Sequence, residues 1–256
     1  MKKDYLVQDV ISVMQEIAPA EIACEWDHVG LMIGDAAAPV SGVMLALDAN
    51  QAAIDAAIHA KANMLITHHP LFFSPVREID YQTSKGANIK KIIQNDIHVF
   101  AAHTNLDKAK NGVNQALAKE LDLVMPMSLE GAEVGLCGSL GDDSRKLFDY
   151  AEFVKLQLGA TGVILNTDEN REISRVFIQG GAFEEEVIPI LKLARIGCVV
   201  TGEMKHHHML ELEEEGIAVI VCGHEVTERI VLPSLKEQLL RKLPNLPISV
   251  FSGHKW

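Results

Sequence analysis

Residues 43–69 read VMLALDANQAAIDAAIHAKANMLITHH. VMLAL (43–47) is a short apolar run of strand length, NQAAIDAAIHAK (50–61) has the length of a helix with Asn50 placed to cap it, and NMLIT (63–67) predicts a second strand. A strand, a crossover helix and another strand require parallel pairing, because a parallel connection needs a dozen or more residues. Working outward, a helix around ANIKKIIQND (87–96), the strand IHVFAA (97–102) and a helix over 112–121 extend the unit to βαβαβα.

The order then returns. SRVFIQG (174–180), a helix over 183–195, GCVVT (197–201), a helix over 204–215, IAVIVCG (217–223) and a helix from Glu225 repeat it. Laid over each other, Thr67 before His68 matches Thr201 before Gly202. The chain is therefore expected to be α/β, with two similar α/β domains from an internal duplication. The first is placed at residues 1–125 plus 229–256 and the second at 126–228. PMSLEGAEVG (126–135) to TGVILN (161–166) opens the second, and ISVFSG (248–253) is expected to return to a sheet edge.

Composition narrows the function. With 256 residues, 48% hydrophobic and 23% charged, the chain has the balance of a packed globular protein. A net charge of -12 argues against broad charge-driven binding to nucleic acid and disfavours an acidic membrane surface, since both need clustered Lys and Arg. MKKDYLVQDVISVMQEIAP (1–19) is broken by acidic and amide residues, so no signal-peptide core is expected, and no run approaches membrane-spanning length. Cys24, Cys137, Cys198 and Cys222 are scattered without a close pair, which suits a reducing, cytoplasmic setting and no thiolate zinc site.

Ligands of open α/β sheets sit beyond the carboxyl ends of the strands. THH (67–69), HTNLD (103–107), GEMKHHH (202–208) and GHEVTE (223–228) all follow predicted strands, and they hold most of the 11 histidines. His68 and His69 are adjacent, so on extended backbone their rings would diverge and serve two neighbouring ions rather than chelate one. His224 and Glu228 are four apart on a predicted helix, hence on one face. With Asp107 they make three imidazoles and two carboxylates, a set that suits Zn, Fe, Mn, Co or Ni and suffices for two ions with open positions.

Each residue also has a plainer reading. Strand-end histidines are commonly solvated, and a Glu at a helix start complements the helix dipole; His28, His59, His98 and His254 are read that way. It is the joint pattern that points to a metal site. Of HHH (206–208), His206 and His207 are expected as outer-shell or proton-transfer groups, with Glu203 one turn earlier. QGGAF (179–183), between strand and helix, lacks a dinucleotide fingerprint and a P-loop lysine, and Cys222 reads as core.

WDHVGLMIG (26–34), THHPLFF (67–73), HTNLDKAKNGVN (103–114), GEMKHH (202–207) and GHEVTE (223–228), in this order, resemble the NIF-three-like family, whose members are often labelled GTP cyclohydrolase 1 type 2 homologues. The resemblance runs from about residue 4 to the C-terminus and matches the short form without an inserted middle domain. It implies a NIF-three-like fold with a dinuclear metal site between the two domains, and self-association into a toroidal hexamer. Carried over by motif, the ligands are His68, His69, Asp107, His224 and Glu228, the same five. Where the family often has a Gly-Ser-Gly type turn, Ala182 follows the glycines here.

Two functions are consistent with this. One is a metal-dependent hydrolase of a nucleotide or related small molecule, holding two divalent ions, with His103, Glu203, His206 or His207 relaying protons. Lys108 and Lys110 are then candidate phosphate contacts, although they read more simply as helix-flanking charges. The other is a non-catalytic metal-binding assembly for storage, delivery or regulatory partner binding.

Overall fold

The computed structural model describes residues 4–141 and 144–253; His254 lies outside them. The chain divides into two compact units, Met1–Ala109 with Leu232–Trp256, and Lys110–Val231. Residues 110–125, grouped with the first domain on sequence, fall in the second unit. There the helix Val113–Glu120 packs on the strand Arg175–Ala182, and Leu117, Ala118 and Leu121 enter that unit's core.

The first unit is built on a five-stranded sheet in the order Ile248–Val250, Val43–Ala46, Met64–Thr67, His98–Ala101, Gly30–Ile33. The first four strands are parallel and Gly30–Ile33 is antiparallel at the edge. The central strands are buried on both faces, which is why they read as unbroken apolar runs. Helix Gln51–His59 begins where expected, with the Asn50 side chain accepting from the Ala53 amide. Its Ala53, Ile54 and Ala57 pack with Met44, Leu65, Ile92 and Val99. The next helix starts earlier than predicted, at Ser84, because Thr83 supplies the cap.

The second unit holds a six-stranded sheet in the order Ile164–Leu165, Ala218–Val221, Cys198–Glu203, Arg175–Ala182, Leu136–Ser139, Val124–Met127. Its three central strands are parallel and the others antiparallel. Alternation sorts the core: Val176, Ile178, Val200 and Ile220 face the layer with Tyr150 and Val154, while Phe177, Val199 and Val219 face the layer with Leu191 and Leu212.

Two expectations change here. QGG is not a loop before a helix; it lies inside the strand Arg175–Ala182, which continues through a register shift between Gln179 and Ala182. The helix expected over 183–195 is a 3-10 turn, Glu185–Val187, followed by Ile188–Leu193. Among the described residues no helix is long and apolar enough to cross a membrane.

Candidate metal centre

In the first unit the functional side chains cluster at the end of the sheet where three parallel strands leave it and the segment before Gly30–Ile33 enters. After Met64–Thr67 the chain bends, and the Thr67 hydroxyl donates to the His69 carbonyl at 2.8 Å. The bend cancels the alternation expected of an extended strand, so the rings of His68 and His69 do not diverge: their centroids are 5.0 Å apart. His103, after His98–Ala101, brings a third ring to 5.2 Å from His68 and 5.7 Å from His69. Each of the three offers a ligand atom within 4.8 Å of the others.

All three rings are held at Nδ1 by an oxygen. His68 Nδ1 is 3.0 Å from the Ala102 carbonyl, His69 Nδ1 is 2.9 Å from Asp48 Oδ1, and His103 Nδ1 is 3.0 Å from Asp27 Oδ1. An oxygen acceptor there draws the proton to Nδ1 and leaves the lone pair on Nε2, the arrangement found for metal-binding histidines. Burial alone would push the Asp27 carboxyl up. Hydrogen bonds from His103 and from the Thr104 hydroxyl and amide outweigh it and hold the group well below the usual carboxylate range. Asp107, on the short helix Thr104–Lys108, places Oδ1 3.6 Å from His68 Nε2. A lone pair and a carboxylate oxygen facing each other call for a cation between them.

The second unit repeats this chemistry. His224 and Glu228 occupy one turn of helix, His224–Glu228, as their spacing predicts. His224 Nε2 is 3.1 Å from Glu228 Oε1 and Nδ1 is 3.3 Å from Glu203 Oε1, so one imidazole stands between two carboxylates. A neutral ring has one proton for two acceptors, and the nitrogen left over is suited to a metal. Glu203 is the last residue of the strand Cys198–Glu203 rather than part of a helix, and this is how it reaches Nδ1.

Glycine makes the close approach possible. Gly181 has φ +69°, and a Cβ there would lie 2.3 Å from Glu228 Oε1 and 3.2 Å from His224 Nε2. A Cβ on Gly202 would lie 2.7 Å from the His224 Cα. The Gly181 amide donates to the Thr227 hydroxyl, which in turn donates to the His224 carbonyl. By donor type and tautomer the residues fit a divalent ion.

The sequence pattern of Duf34/NIF3 (NGG1p interacting factor 3) matches residues 5–255. The chain belongs to this family. It is 33% identical to a "GTP cyclohydrolase 1 type 2 homolog" of Clostridium acetobutylicum over 255 residues, covering 95% of this chain and 94% of that one. A relative of the same description in Methanocaldococcus jannaschii is 28% identical, covering 92% and 95%. Among solved structures, a Staphylococcus aureus hypothetical protein superposes with TM-score 0.91 at 25% identity, covering 99% of both chains. Reduced HcgD from M. jannaschii superposes with TM-score 0.83 at 25% identity, covering 98% of this chain and 99% of that one.

In this Duf34/NIF3 chain, His68, His69, His103 and Asp107 are gathered in the first unit, and His224, Glu228 and Glu203 in the second. His206 is exposed, and His207 lies against His208 with ring centroids 4.0 Å apart. His98 is structural: its Nδ1 accepts from the Asp35 amide, and burial holds its pKa down. Sequence reasoning missed Asp27, Asp48, Gly181 and Thr227. Asp48 was within reach, since it follows Val43–Ala46 at a carboxyl end like the histidines.

Proposed function

We propose that the chain is a dinuclear divalent-metal protein acting as a hydrolase on a nucleotide or related small molecule. His68, His69, Asp107, His224 and Glu228 are its ligands. The observation that carries this is the locking of the ring nitrogens: in each unit an oxygen holds Nδ1 while Nε2 faces a carboxylate or another ring. The names of the relatives agree with a nucleotide substrate.

Bound ions would supply Lewis acidity to a water and to the substrate. The chain's own groups do the rest. His103, oriented by Asp27, exchanges a proton at Nε2. Glu203 keeps the His224 ring oriented from Nδ1. Trp26 and Phe73, each 60% exposed, set their rings edge-on to His103 at 5.9 and 5.7 Å and give a flat heterocycle apolar walls to lie against. Phe73 also borders a recess of about 430 Å³ whose lining sets Arg77 and Lys85 beside Glu78 and Asp80, a mixed set of charges for the polar part of a substrate.

The test is turnover of a nucleotide panel by metal-stripped protein reloaded with Mn, Zn, Fe or Co, comparing wild type with His69→Ala and Glu228→Ala. Loss of activity in both variants is expected. Activity surviving both removes the reading, and stoichiometric metal without turnover in any loading favours a storage or delivery role.

A further inference from the structure

A second cluster in the second unit has no part in that chemistry. Glu185 starts the 3-10 turn Glu185–Val187, and His207 and His208 lie in the first turn of the helix His206–Glu214. Each of the three offers a ligand atom within 4.8 Å of the others. His208 Nε2 is 2.8 Å from Glu185 Oε2, the His207 ring is 4.0 Å from the His208 ring, and Lys205 Nζ is 3.1 Å from the same carboxylate oxygen.

An ordinary ion pair does not account for His208. Its side chain is 6% exposed, and Nδ1 is buried with no hydrogen-bond partner among the described residues. No protonation state satisfies both ring nitrogens. With the proton on Nε2, a buried lone pair has no donor; with both protonated, a buried N–H has no acceptor. A leftover of this kind at Nδ1 calls for a water, while Nε2, the nitrogen that faces Glu185, is the one a cation shared with that carboxylate would take. The Glu185 carboxylate offsets the positive field of the helix N-terminus for a cation.

We propose that Glu185, His207 and His208 form a further site for a borderline divalent cation of the zinc or cobalt class, at which the ion displaces the Lys205 ammonium from Glu185. Two imidazoles and a carboxylate from two neighbouring segments, with an exposed side open to water, match the donor types of three-ligand zinc sites.

Metal-stripped full-length protein carrying His69→Ala and Glu228→Ala isolates this site from the proposed dinuclear centre, so the two readings fail separately. That protein is titrated with Co²⁺, followed by its visible absorption, and with Zn²⁺, followed by metal retained through desalting. One equivalent is expected. Adding Glu185→Gln or His207→Ala, both exposed positions, is expected to weaken it by more than ~100-fold, beyond what loss of an outer-shell partner usually costs. Lys205→Ala is expected to tighten binding, an effect that a purely structural ion pair would not give. In the otherwise native chain, Glu185→Gln should lower total bound zinc by one equivalent, which keeps the test valid if the double variant misfolds. Zinc uptake unchanged by Glu185→Gln in both backgrounds overturns the proposal, as does weaker binding on Lys205→Ala.

Discussion

Asp48 is the residue that best separates a metal centre from a chance meeting of histidines. It is half exposed and holds His69 at Nδ1 from outside the group of rings. If that hydrogen bond sets the tautomer of a ligand, Asp48→Ala lowers metal affinity by about 10–100-fold while leaving the fold alone, as chelator competition would measure. Were His69 merely solvated, the substitution would change nothing. Gly181→Ala acts from the other unit. At φ +69° the new methyl costs about 1–2 kcal/mol of backbone strain and meets Glu228 Oε1, so both the unfolding midpoint and metal uptake should fall. The five ligands were legible as residue types at strand ends. The bend after Thr67 was not, because it comes from a hydroxyl-to-carbonyl bond that no periodicity encodes.

At the level of elements, the parallel strands announced themselves and the antiparallel edge did not. WDHVGLMIG contains no alternation clear enough to mark Gly30–Ile33 as a strand. That strand runs opposite to His98–Ala101, so the segment before it, with Asp27, comes to the edge where the parallel strands end. A rule looking only after strands passes over it. Asp27 also ties the helix Thr104–Lys108 to that edge by accepting from the Thr104 amide and hydroxyl. Asp27→Asn is expected to cost about 1.5–3 kcal/mol near neutral pH, read from urea unfolding. The sign with pH follows from the lowered folded-state value. The ionised carboxyl contributes fully above the ordinary 3.8, and the contribution drains away as pH falls toward the lowered value, so the gap between wild type and variant closes in acid. The glycines of QGGAF misled for a related reason: they read as a turn, yet they thin a strand so that His224 and Glu228 can approach it.

For the whole molecule, four buried cysteines and an apolar surface inventory give two checks. Burial pushes the Cys222 thiol up to about 12 and the Cys198 thiol higher still, so both remain protonated. A disulfide-exchange reagent should react with native protein far more slowly than with unfolded protein. Met125, Leu156, Ile164 and Leu193 are each more than 60% exposed, in keeping with the self-association that the family resemblance implies. Light scattering should return a mass near six times 28.1 kDa, and a stable monomer would refute the toroidal hexamer. Because carbonyl and carboxylate oxygens already fix the rings of His68, His69 and His103, the geometry of the centre is expected to form without an ion. On the proposed reading the protein would fold first and be loaded afterwards, unlike small zinc domains that collapse only around their metal, and metal-stripped protein should keep its unfolding transition. The identity of a bound ion would then be set by what the cell makes available to a finished fold, and two cultures grown on different trace metals should yield the same structure carrying different cargo.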